Sequence, residues 1–330
     1  MYVRNDVRPS IILWFSWRHI LFFAAYSFGI YYAFHVLGWK FMAIPFLPIG
    51  TIGTAVAFYA GFKNNASYER LWEGRKIWGS IASLSHSLGL LICTLPAEFN
   101  AQKEKLVRRQ IAWCNLLRLQ LRSYPAHRNA HKIPPEVALI RDMFGKEVVN
   151  ETVESYMDAN LSADDLERVK NLPNKALALM QMQVADIQEL EETTAGGGFR
   201  CEKLMDQALE CIKEQGSAER LKSFPFPRQY AHFSGVFVWL FLLLLPFGMV
   251  DELAKGATNL DWLTVPFSTI ISWMFVTMEQ VGDSSEDPFE LALNDVPMSA
   301  ICRNIEIDLL QILGEKNLPA PMQAVQDVLV

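Results

Sequence analysis

Cysteine is sparse in this 330-residue chain, and none of the five (Cys93, Cys114, Cys201, Cys211, Cys302) forms a C-x-x-C pair. Such spacing offers no zinc or redox motif, and the odd count leaves at least one thiol unpaired. Reduced thiols in a cytosolic or membrane-buried setting are expected. A clustered basic face is also missing: 30 Lys and Arg stand against 36 Asp and Glu, a formal charge of −6. Nucleic acid is therefore not expected as a partner. No strand pattern of convincing length appears, so a βαβ nucleotide domain is excluded. Gly196–Gly198 follows no strand and precedes no Lys-Ser/Thr, and it reads as a helix C-cap and turn rather than a phosphate cradle. His86, His127, His131 and His232 lack metal or triad spacing. No catalytic residue, metal or cofactor is expected, and the chain does not read as an enzyme. The first twenty residues hold Arg4, Arg8 and Arg18, and the apolar run that follows is too long for a signal h-region, so no secretory signal is expected.

What the chain does have is apolar residues gathered into long uncharged runs. The whole-chain share, 51% hydrophobic, is only mildly high; the distribution carries the information. Ile20–Gly38, Phe41–Phe62, Phe233–Val250 and Trp262–Met278 each reach the length a spanning helix needs. Pro45, Pro48, Pro246 and Pro266 in the last three suggest kinked helices in a bundle. A fifth run, Ile77–Ala97, is uncharged but rich in Ser, and basic residues flank it on both sides (Lys63, Arg70, Arg75, Lys76; Lys103, Lys105, Arg108, Arg109). Basic residues mark the cytoplasmic side, so a single crossing would violate the rule. It reads as a helix packed inside the assembly or dipping into the membrane. The topology that follows puts both termini and residues 63–231 in the cytoplasm. The short 39–40 turn and the acidic 251–261 loop lie outside.

Residues 98–225 look helical almost throughout. Glu98–Arg122 carries apolar residues at loosely helical spacing, Pro134 and Pro135 break the pattern, and Ser162 opens a capping sequence. Lys175–Glu192 is a strong helix former, and a further helix runs from about Phe199 to Gln215. The fold class expected is all-α: a polytopic membrane protein with four transmembrane helices and a large cytoplasmic helical region. The divisions are 1–98 (N-terminal segment, transmembrane helices 1 and 2, packed helix), 99–231 (cytoplasmic helices), 232–282 (transmembrane helices 3 and 4) and 283–330 (C-terminal cytoplasmic segment).

Three segments carry a family signature: GFKNNASYERLWEGRKIWG (61–79), PFPRQYAHFSGVFVWLFLLLLPFG (225–248) and EDPFELALNDVPMSAICRNIEIDLL (286–310). In order and spacing the chain resembles the bestrophin family, in particular its bacterial branch, along essentially its whole length. The resemblance implies a homo-oligomeric ion channel, pentameric around one central pore, in the bilayer of a bacterial inner membrane. It also implies that the second transmembrane helix lines a narrow neck just before the Arg70–Leu71–Trp72 element, at Thr54, Phe58 and Phe62. These positions are four apart and share a helix face. Taken from the residues alone, Phe58 and Phe62 read as lipid-facing or core aromatics. As rings in an oligomer they would form a hydrophobic constriction that gates by dewetting. Thr54 departs from the family's aliphatic preference and would make its level easier to hydrate. Gly53 and Gly61 on the same helix are expected to permit close packing.

The resemblance places a second, cytoplasmic aperture at Phe199. Asn64–Trp78 reads as an ion-paired helix at the membrane boundary, with Arg70 and Glu73 holding the pore helix against a neighbour. In animal members a calcium clasp follows the last transmembrane helix. Its weak equivalent here is Asp283, Glu286 and Asp287, where the acidic run is cut short and no tight calcium site is expected. Glu290 stands where the family usually has glycine. For the permeant ion, Asp251, Glu252 and Asp261, with Asp186, Glu189, Glu191 and Glu192, favour small monovalent cations over chloride. Electropositive phenylalanine edges argue the other way. The alternatives to a channel are a carrier and a membrane scaffold or receptor. The carrier lacks support, since there is no internal repeat and the four runs hold no Asp, Glu, Lys or Arg; their one titratable candidate of the histidine type, His35, is near a helix end.

Overall fold

The structure is a computed structural model. It describes residues 1–330 except 5, 7–8, 124–150, 194–197 and 256–259; the side chains of 9–15, 192–193 and 198–199 also lie outside the description. Ten α-helices are described: α1 (Pro9–His35), α2 (Phe46–Cys93), α3 (Asn100–Arg122), α4 (Val153–Asn160), α5 (Ala163–Val169), α6 (Lys175–Thr193), α7 (Gly198–Ser223), α8 (Arg228–Ala254), α9 (Thr264–Glu286) and α10 (Met298–Leu313). Among the described residues there is no β-sheet, only two isolated bridges near the chain ends. The all-α class is as the sequence predicts. The break expected at Pro134 and Pro135 lies outside the described residues.

The chain divides into two compact units, and one division falls at Glu69/Arg70, inside α2. The apolar unit holds Arg4–Glu69 and Pro225–Glu286. In it α1 packs along α9, and α8 packs on both. Phe23, Ile49, Val56, Val238, Phe241, Leu242, Leu245 and Val276 form its core. Gly53 faces this core, where a Cβ would meet the Phe241 ring at 2.6 Å, so only glycine allows that approach. Gly61 does not act in the same way: nothing lies within 4 Å of its would-be Cβ. The prolines also differ from expectation. Pro48 and Pro266 sit in the first turns of α2 and α9, where the missing N–H has no intrahelical partner to lose, and Pro246 alone is interior. The outside of this unit is strongly apolar. Leu21, Phe22, Phe28, Leu47, Phe233, Leu240, Phe267 and Ile270 are all exposed.

The polar unit holds Met1–Val3, Arg70–Phe224 and Asp287–Val330. Its core contains Trp78, Ile81, Leu88 and Ile92 of α2 beside Leu106, Trp113, Leu116 and Leu117 of α3. The ambiguous run at 77–97 is therefore packed into this helical body. Helix α3 packs on α6 and α10, and α6 on α7. Ser162 caps α5 by accepting the Asp165 N–H (3.2 Å), as its capping pattern predicts. A second cap was not legible as an S-x-x-E pattern: Thr152 and Ser155 form a reciprocal capping box on α4. Buried Arg109 bridges Asp165 (2.8 Å) and Asp186 (2.7 Å), tying α3 to α5 and α6.

Candidate functional site

Helix α2 has a buried face and a bare one. In the apolar unit the buried face runs Ile49, Gly53, Val56, Ala60, Lys63 and Ser67, at alternating spacings of four and three. The opposite face carries Leu47, Thr51, Thr54, Phe58 and Phe62, all exposed. Phe58 is 68% exposed and Phe62 63%. Their rings meet edge to face, centroids 4.6 Å apart and planes at 88°, so each braces the other's rotamer. The Thr54 hydroxyl turns inward and donates to the Gly50 carbonyl (3.0 Å). Its proton is thus engaged by the helix, which lessens the hydration expected at that level.

Behind the bare face is a charged cluster that the sequence reading missed. Lys63 follows Phe62 directly but points into the unit, its side chain 1% exposed. Its Nζ donates to Glu279 Oε1 (2.6 Å) and Asp283 Oδ1 (2.5 Å) of α9. The second Glu279 oxygen accepts from the Ser234 hydroxyl of α8 (3.0 Å), and the Asn64 amide donates to the Met278 carbonyl (3.1 Å). A buried ammonium needs this degree of pairing. Two carboxylates on one ammonium leave the group one negative charge in excess. The partners are more than two hundred residues apart, so no local spacing could reveal them.

The acids matched to the calcium clasp are engaged otherwise. Asp283 is on Lys63, and Glu286 accepts from Arg228 (3.2 Å). Asp287 falls in the polar unit. Among the described residues no group of three or more His, Cys, Asp or Glu could hold a metal ion. The acids read as favouring cations are also paired: Asp251 with Lys255 (2.5 Å), Asp261 with His35 (2.7 Å) and Asp186 with Lys105 and Arg109.

In the polar unit Arg70 and Glu73 join α2 to the end of α7 of the same chain. Arg70 donates to the Leu221 carbonyl (3.0 Å), one of the orphan carbonyls at that helix's C-terminus, and Glu73 pairs with Arg220 (2.8 Å). The charges of Asn64–Trp78 therefore pair largely across elements; the Asn65–Glu69 hydrogen bond (2.9 Å) is local. Arg75 reaches the Asn294 carbonyl (3.0 Å). Phe199 lies in the first turn of α7, with its side chain outside the described residues.

The segment 287–297 is organised by Asp295, which is buried. Its carboxylate accepts the N–H groups of Phe289 (2.8 Å), Leu291 (2.8 Å) and Val296 (2.7 Å). Burial pushes its carboxyl above the ordinary range, and the three N–H bonds pull the other way. Phe289 and Leu291 have φ of 75° and 65°. The fully buried Phe289 ring packs on Gly74 of α2, where a Cβ would sit 3.2 Å away. Glu290 pairs with Lys222 (3.1 Å), both side chains nearly buried, which accounts for an acid at that position.

Comparison with known proteins identifies the family. The family model described as Bacterial/Fungal Bestrophin protein matches residues 3–311. The voltage-dependent anion channel-forming protein YneE of Salmonella typhi is 31% identical over 288 residues, 86% of this chain and 81% of its own. The protein of the same name from Escherichia coli K12 is 31% identical over 287 residues, with the same coverage. Among solved structures, a bacterial bestrophin homolog from Klebsiella pneumoniae superposes with a TM-score of 0.73 at 24% identity, covering 91% of this chain and 98% of that one. A family match over nearly all of the residues, joined to relatives at this identity, means that the chain belongs to the bacterial and fungal bestrophin family.

Proposed function

We propose that this chain is the subunit of a bestrophin-type ion channel in a bacterial inner membrane, with the bare face of α2 lining a central pore. The observation that carries the reading is the exposure of Phe58 and Phe62, on a helix whose opposite face is closed by packing and by the Lys63 cluster. A large aromatic pair left bare needs either lipid or a second copy of the same surface. In a symmetric ring of subunits, five by family resemblance, each aromatic becomes one segment of a hydrophobic constriction. Thr54 sits one turn above with its hydroxyl proton bound to the helix, so the dry stretch consists chiefly of the two phenylalanine levels.

Four spans, α1, α2, α8 and α9, fit this reading, with both termini cytoplasmic. Helices α2 and α8 are long and apolar enough to cross a bilayer by composition alone. With 27 and 23 residues, α1 and α9 reach roughly 40 and 35 Å at 1.5 Å per residue, beyond the roughly 30 Å of a hydrocarbon core. No strong charge selectivity is built into the neck residues themselves. The overall charge of −6 and the excess carboxylate beside Phe62 favour monovalent cations. The second reading, anion permeation, is favoured by the names of the enterobacterial relatives.

Planar-bilayer recording under a salt gradient tests the proposal, with wild type compared with Phe58→Ala and Phe62→Ala. Larger currents in the two variants are expected, and the sign of the reversal potential separates cation from anion. Intact protein that stays silent in wild-type and variant form would sink the channel reading.

A further inference from the structure

Between Phe46 and Glu69, the part of α2 that belongs to the apolar unit, only Lys63 and Glu69 are charged. The fold treats them in opposite ways. Lys63 is turned inward onto Glu279 and Asp283. Glu69 is exposed, and it stands on the bare side. An α-helix turns about 100° per residue. Seven residues therefore bring a side chain back to within about 20° of its starting direction, about 10 Å further along the axis. Glu69 is seven residues beyond Phe62, so it prolongs the stripe of Thr54, Phe58 and Phe62, with exposed Asn65 between. The Asn65 amide donates to Glu69 Oε1 at 2.9 Å. That bond directs the carboxylate without cancelling its charge. Among the described residues no Lys, Arg or His pairs with it.

We propose that Glu69 is the charge-selecting residue of the pore and that it selects small monovalent cations. The inference rests on the pore reading above: where the bare stripe meets its own copies around an axis, the Glu69 copies form a ring of full negative charges two turns beyond the Phe62 ring. The phenylalanine levels carry no net charge and set the cost of dehydration for either sign of ion. The choice of sign falls to the charged ring nearest to them, and rings of carboxylates favour cations. Asn65 is a positioning residue, holding the carboxylate through a neutral bond. The Lys63 cluster lies on the opposite face, and its excess charge acts across the thickness of the helix, about 10 Å, as the weaker influence. Lys76, the next charge at the seven-residue spacing, belongs to the polar unit and is a further two turns along α2, more than a Debye length at physiological salt.

Reversal potentials of the purified full chain in planar bilayers under potassium chloride gradients test this, with Glu69→Gln, Glu69→Lys and Asn65→Ala beside the wild type. Glu69→Gln keeps an oxygen for the Asn65 amide and removes only the charge. All three changes are at exposed positions and should keep the wild-type elution profile. The wild type should favour potassium. Glu69→Gln should lower the potassium-to-chloride permeability ratio by about fivefold or more, Glu69→Lys should turn the preference to chloride, and Asn65→Ala should give a smaller loss than Glu69→Gln. The difference between wild type and Glu69→Gln should shrink from about 0.1 M to about 1 M salt, because screening weakens a field and leaves a merely structural effect unchanged. A conducting Glu69→Gln with the wild-type reversal potential overturns the proposal and leaves the pore reading standing. Chloride preference in the wild type overturns it as well. Silence of both wild type and Phe58→Ala overturns the pore reading, and the role of Glu69 with it.

Discussion

Asp295 offers the sharpest energetic test of what holds the segment 287–297 together. Replacing it with Ala strands three N–H groups, those of Phe289, Leu291 and Val296, at a site where the carboxylate is 4% exposed. An orphaned buried donor costs about 1–3 kcal/mol, and the three share one cavity that admits some water. The expected loss is roughly 3–5 kcal/mol. Phe289 and Leu291 sit at positive φ, each costing on the order of 1 kcal/mol, and relaxation of that strain once the Asp295 bonds are gone offsets part of the loss. Asp295→Asn keeps one acceptor oxygen, and its amide nitrogen then opposes an N–H donor. It should fall between wild type and Ala, at roughly 1.5–3 kcal/mol. Thermal unfolding of the purified chain, followed by tryptophan fluorescence, reads both. At roughly 2–4 °C per kcal/mol for a unit of this size, the Ala variant should melt on the order of 10 °C lower. An Asn variant that melts with wild type, or an Ala variant milder than Asn, would refute the three-bond account.

Other perturbations have equally definite outcomes. Lys222→Met alone strands the nearly buried Glu290 and should cost roughly 3–5 kcal/mol, whereas the double change Lys222→Met/Glu290→Gly should recover most of the loss in a melting cycle. Gly89→Ala drives a Cβ into Leu309 Cδ2 and should destabilise by about 1–3 kcal/mol. Gly216→Ala, with nothing within 4 Å inside α7, should instead stabilise by about 0.5–1 kcal/mol; urea midpoints compare the two. Burial pushes the Cys211 thiol up to about 12, Cys302 up to about 11 and Cys114 well above its ordinary value. A raised value keeps the thiol protonated, so at about pH 8 these three should resist iodoacetamide in native protein and react after guanidinium unfolding, as mass spectrometry would report.

The long elements were legible because their signal is local. Four uncharged runs announced α1, α2, α8 and α9, and the capping pattern at Ser162 marked the start of α5. Helix α2 shows where the signal stops. Its apolar run ends at Phe62, but a helix needs only backbone hydrogen bonds, so it continues through the charged stretch to Cys93. The Trp78, Ile81, Leu88 and Ile92 stripe at helical spacing was the available clue that residues 77–97 join a core. The Lys63 cluster and the grip of Glu73 on Arg220 join residues 147 to 220 positions apart, and nothing in the spacing of one chain segment encodes them. Gly53 and Gly61 looked alike in sequence, and only the neighbour across the helix, Phe241, separates them. At the candidate site, Phe58 and Phe62 could be named from the resemblance, and their mutual edge-to-face bracing could not.

The bare aromatic pair on α2 also bears on genetics. On the proposed pore reading, Phe58 and Phe62 each meet their own copies around an axis, so every substitution there is made in all subunits together and small effects per chain multiply. The same reading predicts that mutant and normal subunits made in one cell form mixed rings of graded composition, in which a single altered member disturbs the constriction. Changes on that face should therefore behave as dominant alleles. Changes to the Lys63 cluster on the opposite face, which act within one chain by unfolding it, should behave as recessive ones.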